Sequence, residues 1–379
     1  MKALCCTVGG SRGLVGAVAM ALALALAAPT QARTWYAANN GLDDNQCTKT
    51  APCRSVTKTM AVASEGDTIT VGPGLYGDLN RDGVLGNSAG EEPSGATGAM
   101  IDVTKRLTII SSDGAWSTVL DANGGATIAV VIDASGTVFG KPNKGFSIRN
   151  QRAPGFTGFL VSFDVSGVTV QGNVAELNQT GFHIVGGTVV KGNIAVANDS
   201  GFHILGTASV TGNLARGNVF GFSVDATDGH PASGVLVGKN IASGNDSAGF
   251  RISCGPAATG PLASFASNTA VGNGFCGVLV EMDGAFSGPV SIGGITANNV
   301  FGNDASTNCG LFISNGDTNH NSLTVTATGN FWGAASGPGP DPADTAGTSA
   351  CISSAGGAVT VVTAPVATKQ FKLSPPKIK

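Results

Sequence analysis

The 379-residue chain is poor in charge, because Lys, Arg, Asp and Glu together make up only 12% of it. Its basic residues are sparse and unclustered apart from a C-terminal tail, which we expect to be solvated, so nothing favours nucleic acid as a partner. The four scattered histidines and the absence of any Cys-x-x-Cys pair argue against zinc, and no metal or cofactor is predicted. Glycine, in contrast, occurs 57 times, which suits short strands joined by tight turns.

Long apolar runs are also missing, with one exception near the start. Lys2 and Arg12 precede an Ala- and Leu-rich run from Leu14 to Ala28, and Thr30-Gln-Ala32 follows it. This pattern predicts a secretory signal peptide over residues 1–32 with cleavage after Ala32; a retained span is the alternative, although the run is short for a bilayer. We therefore expect a secreted protein, extracellular or periplasmic, with no membrane span after cleavage.

A motif of twenty residues occurs three times between Gly172 and Val224, and weaker copies with insertions follow as far as Ile313. Each copy contains two asparagines five residues apart, followed by Gly-Phe-x-Ile or a variant of it. A period of this length with insertions confined to loops is typical of a solenoid. The copies are β-branched and bounded by Gly and Asn, and none holds ten residues of 3.6 periodicity, so strands are predicted. We expect the equivalent asparagines to occupy turns and to stack in ladders.

Coils of this length, with Gly-Asn turns and Gly-Phe-x-Ile strands, resemble the pectate-lyase-like right-handed parallel β-helix proteins over roughly Thr34 to Phe331. The resemblance implies an all-β fold, a single right-handed parallel β-helix (β-solenoid). A short N-terminal capping helix is predicted over Ser55–Ala63, where apolar residues share one helical face. Because that family includes many carbohydrate-active enzymes, the resemblance makes polysaccharide a candidate partner.

Four regions are predicted along the chain. After the signal peptide, residues 33–98 form the N-terminal cap and a first coil with a polar insertion, residues 99–333 form the coils, and residues 334–379 form a C-terminal cap and tail. Gly329-Asn-Phe-Trp-Gly333 resembles the closing motif of many bacterial β-helix proteins, in which the aromatic pair covers the last coil. Trp332 as a sugar-stacking platform is the alternative. We expect a monomer.

Six cysteines remain after signal cleavage, and an even number in an exported protein predicts disulfides. Cys276 and Cys309 each precede a repeat glycine, so they should stack on adjacent coils about 4.8 Å apart, within disulfide reach. The predicted pairs are Cys47–Cys53, Cys276–Cys309 and Cys254–Cys351.

Strand alternation divides Gly-Phe-x-Ile between the two faces of a coil. The Phe and Ile point inward, whereas the residue between them and the residue after Ile point outward. The first outward column is therefore His183, His203, Ser223, Arg251, Leu279 and Phe312. The second is Val185, Leu205, Asp225, Ser253, Glu281 and Ser314.

These columns contain the candidate catalytic residues Asp225, Glu281, Arg251 and His203. The two carboxylates lie two coils apart, or about 9.6 Å at the strand spacing, which is near the upper limit of about 9.5 Å for an inverting glycosidase. Alternatively, Arg251 neutralises a uronate carboxylate and His203 removes a proton, as a polysaccharide lyase requires. A solvated flank is the structural alternative.

Two functions therefore remain open. The first is the binding or processing of an extended polysaccharide along the outward flank, by glycoside hydrolase or polysaccharide lyase chemistry if the protein is an enzyme. The second is a non-catalytic cell-surface or envelope scaffold or adhesin that presents loops to a partner. The catalytic motifs of polygalacturonases, pectate lyases and alginate epimerases are not found in the sequence. Asp228-Gly-His-Pro231 contains similar residue types in another order, and we expect it to form a turn.

Overall fold

Each coil of the chain places one short strand in each of three stacked sheets, and glycine permits the tight packing between coils. A Cβ atom at Gly221 would lie 2.4 Å from the carbonyl oxygen of Gly249 on the next coil, which explains the glycine before each repeat phenylalanine. The computed structural model describes residues 31–95, 97–150, 153–226, 234–256 and 264–378. The predicted signal peptide, apart from residues 31 and 32, and the segment Asp228–Pro231 lie outside the described residues.

Three parallel sheets form the walls of the coil, and every strand pairing recorded in the described residues is parallel. Sheet 1 stacks Thr34–Ala37, Thr68–Val71, Thr108–Ser111, Val138–Phe139, Val168–Gln171, Thr188–Lys191, Ala208–Thr211, Leu236–Gly238, Ser264–Ala266 and Ile295–Thr296. Sheet 2 stacks Ala99–Val103, Ile128–Ile132, Thr157–Val161, Thr180–Val185, Ser200–Leu205, Phe220–Ala226, Ala248–Cys254, Cys276–Gly284, Cys309–Asp317 and Thr345–Ala346, with Ile352–Ser354 also on Cys309–Asp317. Sheet 3 stacks Gly74–Gly77, Thr118–Asp121, Ser147–Arg149, Val174–Glu176, Ile194–Val196, Leu214–Arg216, Ile241–Ser243, Thr269–Val271 and Asn299–Phe301.

The remaining elements are few. A small fourth sheet joins Val290–Ile292, Leu323–Thr326 and Val359–Val362, and single 3-10 turns occur at Ala115–Ser117 and Ser349–Cys351. The predicted capping helix is present as α1, Val56–Val62, and the Ser55 hydroxyl accepts a hydrogen bond from the Lys58 N–H at its start. The architecture of a parallel β-helix with a short N-terminal helix is confirmed.

The repeat asparagines form two buried ladders along the stack. The side-chain amide of each Asn donates to the Oδ1 atom of the Asn on the next coil, as in the 3.0 Å bond from Asn198 to Asn218, and the backbone N–H of Asn198 donates to the same oxygen. The first ladder is Asn173, Asn193, Asn213, Asn240, Asn268, Asn298 and Asn330. The second is Asn178, Asn198, Asn218, Asn245, Asn273 and Asn303, and it ends on the carboxylate of Asp344.

The ladder asparagines do not themselves adopt the left-handed conformation that asparagine tolerates in turns. The residue before each corner asparagine does so instead, including Leu177 and Ala197, whose φ angles are 58° and 56°. Glycine holds this corner in the following copies, at Gly217 and Gly244. A non-glycine residue is strained in this conformation, and we infer that the ladder hydrogen bonds hold the corner against that strain.

The core is a column of aromatic rings inside the coil. Phe182, Phe202, Phe222 and Phe250 stack with ring centroids 4.6 to 5.0 Å apart, and all four are buried. Each buried ring contributes about 1.5–3 kcal/mol relative to an exposed one. This column fixes the inward register and thereby the identity of the residues that face outward.

Both ends of the stack are covered. At the N-terminal end the buried carboxylate of Glu92 accepts hydrogen bonds from the backbone N–H groups of Val56 and Thr57, at the first turn of α1. At the C-terminal end Trp332 is 1% exposed, so it covers the last coil, as predicted, and cannot serve as a sugar-stacking platform. The C-terminal tail is not loose throughout, because Ile378 packs against the apolar outer side of sheet 3.

The structure confirms one predicted disulfide and corrects the other two. Cys47 pairs with Cys53, but Cys309 pairs with Cys351, with Cα atoms 5.7 Å apart. Cys276 does stack beside Cys309, in the same apolar cluster, yet it is a free thiol because Cys351 of the C-terminal cap occupies the other side of Cys309.

The second predicted pair fails for a different reason. Cys254 is aligned with Ala226 and Met282 and belongs to the main core inside the coil, whereas Cys351 belongs to an outer cluster. The sheet therefore separates Cys254 from Cys351, and Cys254 is also a free, buried thiol.

Candidate functional site

The two outward columns predicted from the sequence are present in the register of sheet 2. His203 aligns with Ser223 and then with Arg251, and Leu205 aligns with Asp225. Asp225 aligns in turn with Ser253, which aligns with Glu281. The candidate residues therefore stand on four successive strands, and the outward face of sheet 2 is the candidate site.

Three of these strands end side by side in sheet 2, and each is followed in the sequence by a longer connection than the strand before them. Only residues 206–207 separate Ser200–Leu205 from its successor in sheet 1, whereas residues 227–235 follow Phe220–Ala226 and residues 255–263 follow Ala248–Cys254. After Cys276–Gly284, residues 285–289 lead into the fourth sheet. Because these strands are neighbours in sheet 2, all three connections start beside one another.

The four candidate side chains form one continuous network of ion pairs and hydrogen bonds. The His203 Nε2 atom lies 2.7 Å from an oxygen of Asp225, and the other Asp225 oxygen lies 3.3 Å from the Arg251 Nη1 atom. The Arg251 Nε–H donates to Glu281 over 2.5 Å. Ser223 donates to Asp225 over 3.1 Å and accepts from Arg251 over 3.2 Å, and thereby closes a triangle that sequence reasoning did not assign.

The network is partly buried. The side chains of His203 and Arg251 are 26% exposed, that of Glu281 is 24% exposed and that of Asp225 is 17% exposed. Burial raises the pKa of Asp225, but the hydrogen bond from His203 and the charges of His203 and Arg251 outweigh it and hold the pKa below its usual value. Asp225 is therefore ionised at neutral pH, which suits a base or an acceptor and not a general acid.

Arg251 is packed as well as paired. Its guanidinium lies 5.6 Å from the centroid of the Phe220 ring, in cation–π contact. Phe220 and Phe312 both pack against an outer apolar cluster that includes Leu279 and Cys276. Arg251 therefore borders apolar surface through Phe220, on the side of the network where this cluster lies.

Two histidines extend the network along the first column. The rings of His183 and His203 stack with centroids 4.7 Å apart, as the outward column predicted. The His183 Nε2 atom is buried, and it has no hydrogen-bond partner among the described residues. Burial, and then the neighbouring His203, lower the pKa of His183 to about 4, so its imidazole is neutral at physiological pH.

This arrangement limits the chemistry of the site. An inverting glycosidase needs space for a water molecule between its two carboxyl groups, whereas here Arg251 lies between Asp225 and Glu281 and pairs with both. A lyase needs a cation for the substrate carboxylate, but the guanidinium already has two carboxylate partners. The His203–Asp225 pair is the part of the network with the geometry of an oriented base.

A second polar group on the same face was missed by the sequence analysis. Asp102 lies three coils before His183 in the register of the first column, through Val131 and Leu160, and accepts a hydrogen bond from Thr97 over 3.0 Å. Burial, together with the charge of the neighbouring Asp133, raises the pKa of Asp102 although the Thr97 bond lowers it. Extending the outward columns upstream of His183 would have identified this carboxylate.

The described residues contain no group of three or more His, Cys, Asp or Glu side chains arranged to hold a metal ion. In the same part of the chain, no helix has the length and apolar character needed to cross a bilayer. Asn178-Gln-Thr, Asn198-Asp-Ser and Asn245-Asp-Ser match the N-glycosylation acceptor pattern, but all three asparagines belong to the second ladder and are buried.

Comparison with solved structures identifies the fold of the chain. A rhamnogalacturonan lyase structure matches with a TM-score of 0.50 and 13% identity, covering 85% of this chain and 87% of that one. A crystal structure of pectate lyase Pel9A matches with a TM-score of 0.41 and 17% identity, covering 89% of this chain and 78% of that one. No family model and no curated protein matches the sequence. The chain has the pectate-lyase-like parallel β-helix fold.

Proposed function

We propose that the protein binds an extended polysaccharide along the outward face of sheet 2. The observation that carries the proposal is the coincidence of the ion network with the three long connections. His203, Asp225, Arg251 and Glu281 lie where adjacent strands lead into residues 227–235, 255–263 and 285–289. Ligand sites are often found where loops follow the strands of a rigid scaffold, and a face that extends over successive coils suits a chain-like ligand.

The chemistry of the face supports a carbohydrate ligand. The carboxylates of Asp225 and Glu281 are hydrogen-bond acceptors, His203 and Ser223 add polar groups, and Phe220 and Phe312 supply apolar surface beside them. Sugars present hydroxyl donors and apolar ring faces, so this mixture is complementary to them. The fold similarity to a protein named rhamnogalacturonan lyase, and two disulfides that suit an exported protein, agree with the proposal.

If the bound glycan is also cleaved, the His203–Asp225 pair is the proposed base. Asp225 orients the imidazole through a 2.7 Å contact and stabilises its protonated form after proton removal. A hydrolytic role for Asp225 and Glu281 would require Arg251 to leave its position between them. We therefore propose binding as the primary function, with the His203–Asp225 pair as the base of any cleavage that accompanies it.

The test is binding and turnover by the purified protein on a panel of neutral and acidic polysaccharides. Calorimetry reports binding, near-ultraviolet absorbance reports the unsaturated ends that a lyase makes, and a reducing-end assay reports hydrolysis. We expect saturable binding that weakens at least about tenfold in Asp225→Ala/Glu281→Ala. The matched control is Arg216→Met, an exposed cation on sheet 3, which should bind like wild type.

Absence of binding to every glycan by the folded protein would overturn the proposal and favour the scaffold or adhesin role. If the double variant bound the glycan as tightly as wild type, the glycan-binding site would have to lie on another face of the protein. Turnover that His203→Gln abolishes, with binding retained, would establish the His203–Asp225 pair as catalytic. In each case the variant must first be shown to melt like wild type.

A further inference from the structure

The candidate site offers little positive charge to a ligand, because the guanidinium group of Arg251 is already hydrogen-bonded to other side chains. Among the described residues of the two outward columns, Arg251 is the only Lys or Arg. It donates to Glu281, Asp225 and Ser223 and lies over Phe220. A new anion could pair with it only by displacing one of its two carboxylates, which would then be partly buried without a counter-charge.

The other charges on this face have the opposite sign. Asp102 lies in the first column, Asp133 directly follows the neighbouring strand, and Asp225 and Glu281 complete a set of four carboxylates against one guanidinium. Lys105 lies close to Asp102 in sequence, but its ammonium donates to three carbonyl oxygens at the end of α1, those of Met60, Ala61 and Ala63. It therefore caps the helix, and its three N–H donors are occupied by carbonyl oxygens.

Cations are instead found on the other sheets. Lys191 lies at the end of a sheet 1 strand, Arg216 at the end of a sheet 3 strand, and Arg149 pairs with Glu176 on sheet 3. The distribution separates an acidic outward face on sheet 2 from mixed charge elsewhere. A polymer with a carboxylate on each sugar would meet like charge at both ends of the sheet 2 face, at Asp102 and at the Asp225–Glu281 network.

We propose, on the basis of the polysaccharide-binding function above, that the face selects uncharged polysaccharides and rejects polyuronates. The carboxylates of Asp225 and Glu281 keep lone pairs that Arg251 does not occupy, and sugar hydroxyls donate to them without bringing charge. A uronate has no such donor at its carboxylate and meets repulsion instead. The selectivity thus comes from electrostatic repulsion of polyuronates as much as from hydrogen bonds to neutral polysaccharides.

The test compares a neutral glucan or xylan series with polygalacturonate, in calorimetry at low and at high salt. We expect the neutral polymers to bind at least about tenfold more tightly at low salt, and salt to narrow the difference because screening weakens the repulsion. Glu281→Gln removes one carboxylate and releases the Arg251 Nε–H, so polygalacturonate affinity should rise about tenfold. Neutral-polymer affinity should fall, because an amide oxygen is a weaker acceptor for sugar hydroxyls than a carboxylate, so the two affinities should change in opposite directions.

The control variant is Asp113→Asn, which removes an exposed carboxylate just after the sheet 1 strand Thr108–Ser111. It should leave the affinities for neutral polymers and for polygalacturonate unchanged. Tighter wild-type binding of polygalacturonate would overturn the selectivity while leaving polysaccharide binding intact. If wild type preferred neutral polymers but Glu281→Gln had the same ratio of affinities, the outward face of sheet 2 would not be the source of the preference. That result would also overturn the proposed selectivity. Failure to bind any polymer would instead contradict the proposed function.

Discussion

The inner ladders and the outer network both run along the stack with one residue per coil, yet they obey different rules. In the second ladder six successive coils carry the same amide, each buried and each bonded to the next. On the outward face the corresponding positions change from His203 to Ser223, Arg251 and Leu279 within four coils. Burial therefore demands uniformity, because the loss of one amide leaves the buried backbone N–H of the preceding ladder residue without its acceptor, whereas exposure permits the variation from which a site is built.

The largest effect should come from the covalent link on the outer side of sheet 2. Replacing both Cys309 and Cys351 with alanine should reduce the free energy of unfolding by about 4 kcal/mol, because the disulfide closes a loop of about forty residues in the unfolded chain. Urea unfolding under non-reducing conditions measures this. The double replacement of Cys47 and Cys53, which close a loop of six residues, is the control and should cost about 2 kcal/mol. An equal or larger loss for the short loop would contradict the chain-entropy explanation.

Next in size is the interruption of a ladder in mid-stack. Asn218→Ala removes the acceptor of the Asn198 amide and backbone N–H, and also a donor to the Ala195 carbonyl, all in buried surroundings. We expect a loss of about 3 kcal/mol in the free energy of unfolding, measured by urea titration. Ser209→Ala, on the outer side of sheet 1, should change stability by less than about 0.5 kcal/mol. Similar costs for the two variants would remove the distinction between inner and outer columns.

The buried outward histidine should give a pH-dependent effect of intermediate size. The pKa of His183 is lowered to about 4 in the folded protein, so between about pH 4 and 6.5 the unfolded chain binds more protons than the folded one. Stability must therefore rise with pH across this window, and we expect a gain of about 2 kcal/mol from pH 5 to pH 7. His183→Phe should remove that part of the slope. An unchanged slope in the variant would contradict the assignment.

The smallest effect should come from the exposed side of the network. Arg251→Met leaves Asp225 and Glu281 without their shared counter-charge, but all three side chains are partly exposed, so we expect a loss of about 1 kcal/mol at neutral pH. The pKa of Asp225 is lowered in the folded state, so its contribution to stability is present at neutral pH and is lost as the pH falls below the usual carboxyl range. The loss should also shrink in high salt. Arg216→Met on sheet 3 is the control. An equal loss in the free energy of unfolding for this variant would mean that the ion network does not contribute to stability.

The fold and the composition of the site could largely be predicted from the sequence. The twenty-residue period identified the coil, and strand alternation placed His203, Asp225, Arg251 and Glu281 on one face, because both features depend only on local periodicity. The pairing between side chains did not follow from that register. Columns fix which residues are neighbours, but only the rotamers place Arg251 between the carboxylates and Phe220 beneath it.

The cysteines show the same limit. The register correctly stacked Cys276 beside Cys309, but two partners lay within reach of Cys309 and the periodic part of the sequence says nothing about Cys351 in the cap. Cys254 was assigned to the wrong partner because its inward direction was not considered. Sequence periodicity therefore predicts position well inside the repeats and poorly where a non-repeating segment folds back on them.

The second ladder also has a direction. From Asn198 onward every amide donates toward the C-terminal coil and accepts from the N-terminal one, until Asn303 donates to Asp344, whose carboxylate only accepts. A duplicated coil inserted between Asn198 and Asn218 would receive one amide and pass one on, so the ladder would close around it without an unpaired group. A coil added beyond Asp344 would find no donor to join. The second ladder therefore allows the β-helix to lengthen by insertion of a coil inside the stack, but not by addition of a coil beyond Asp344.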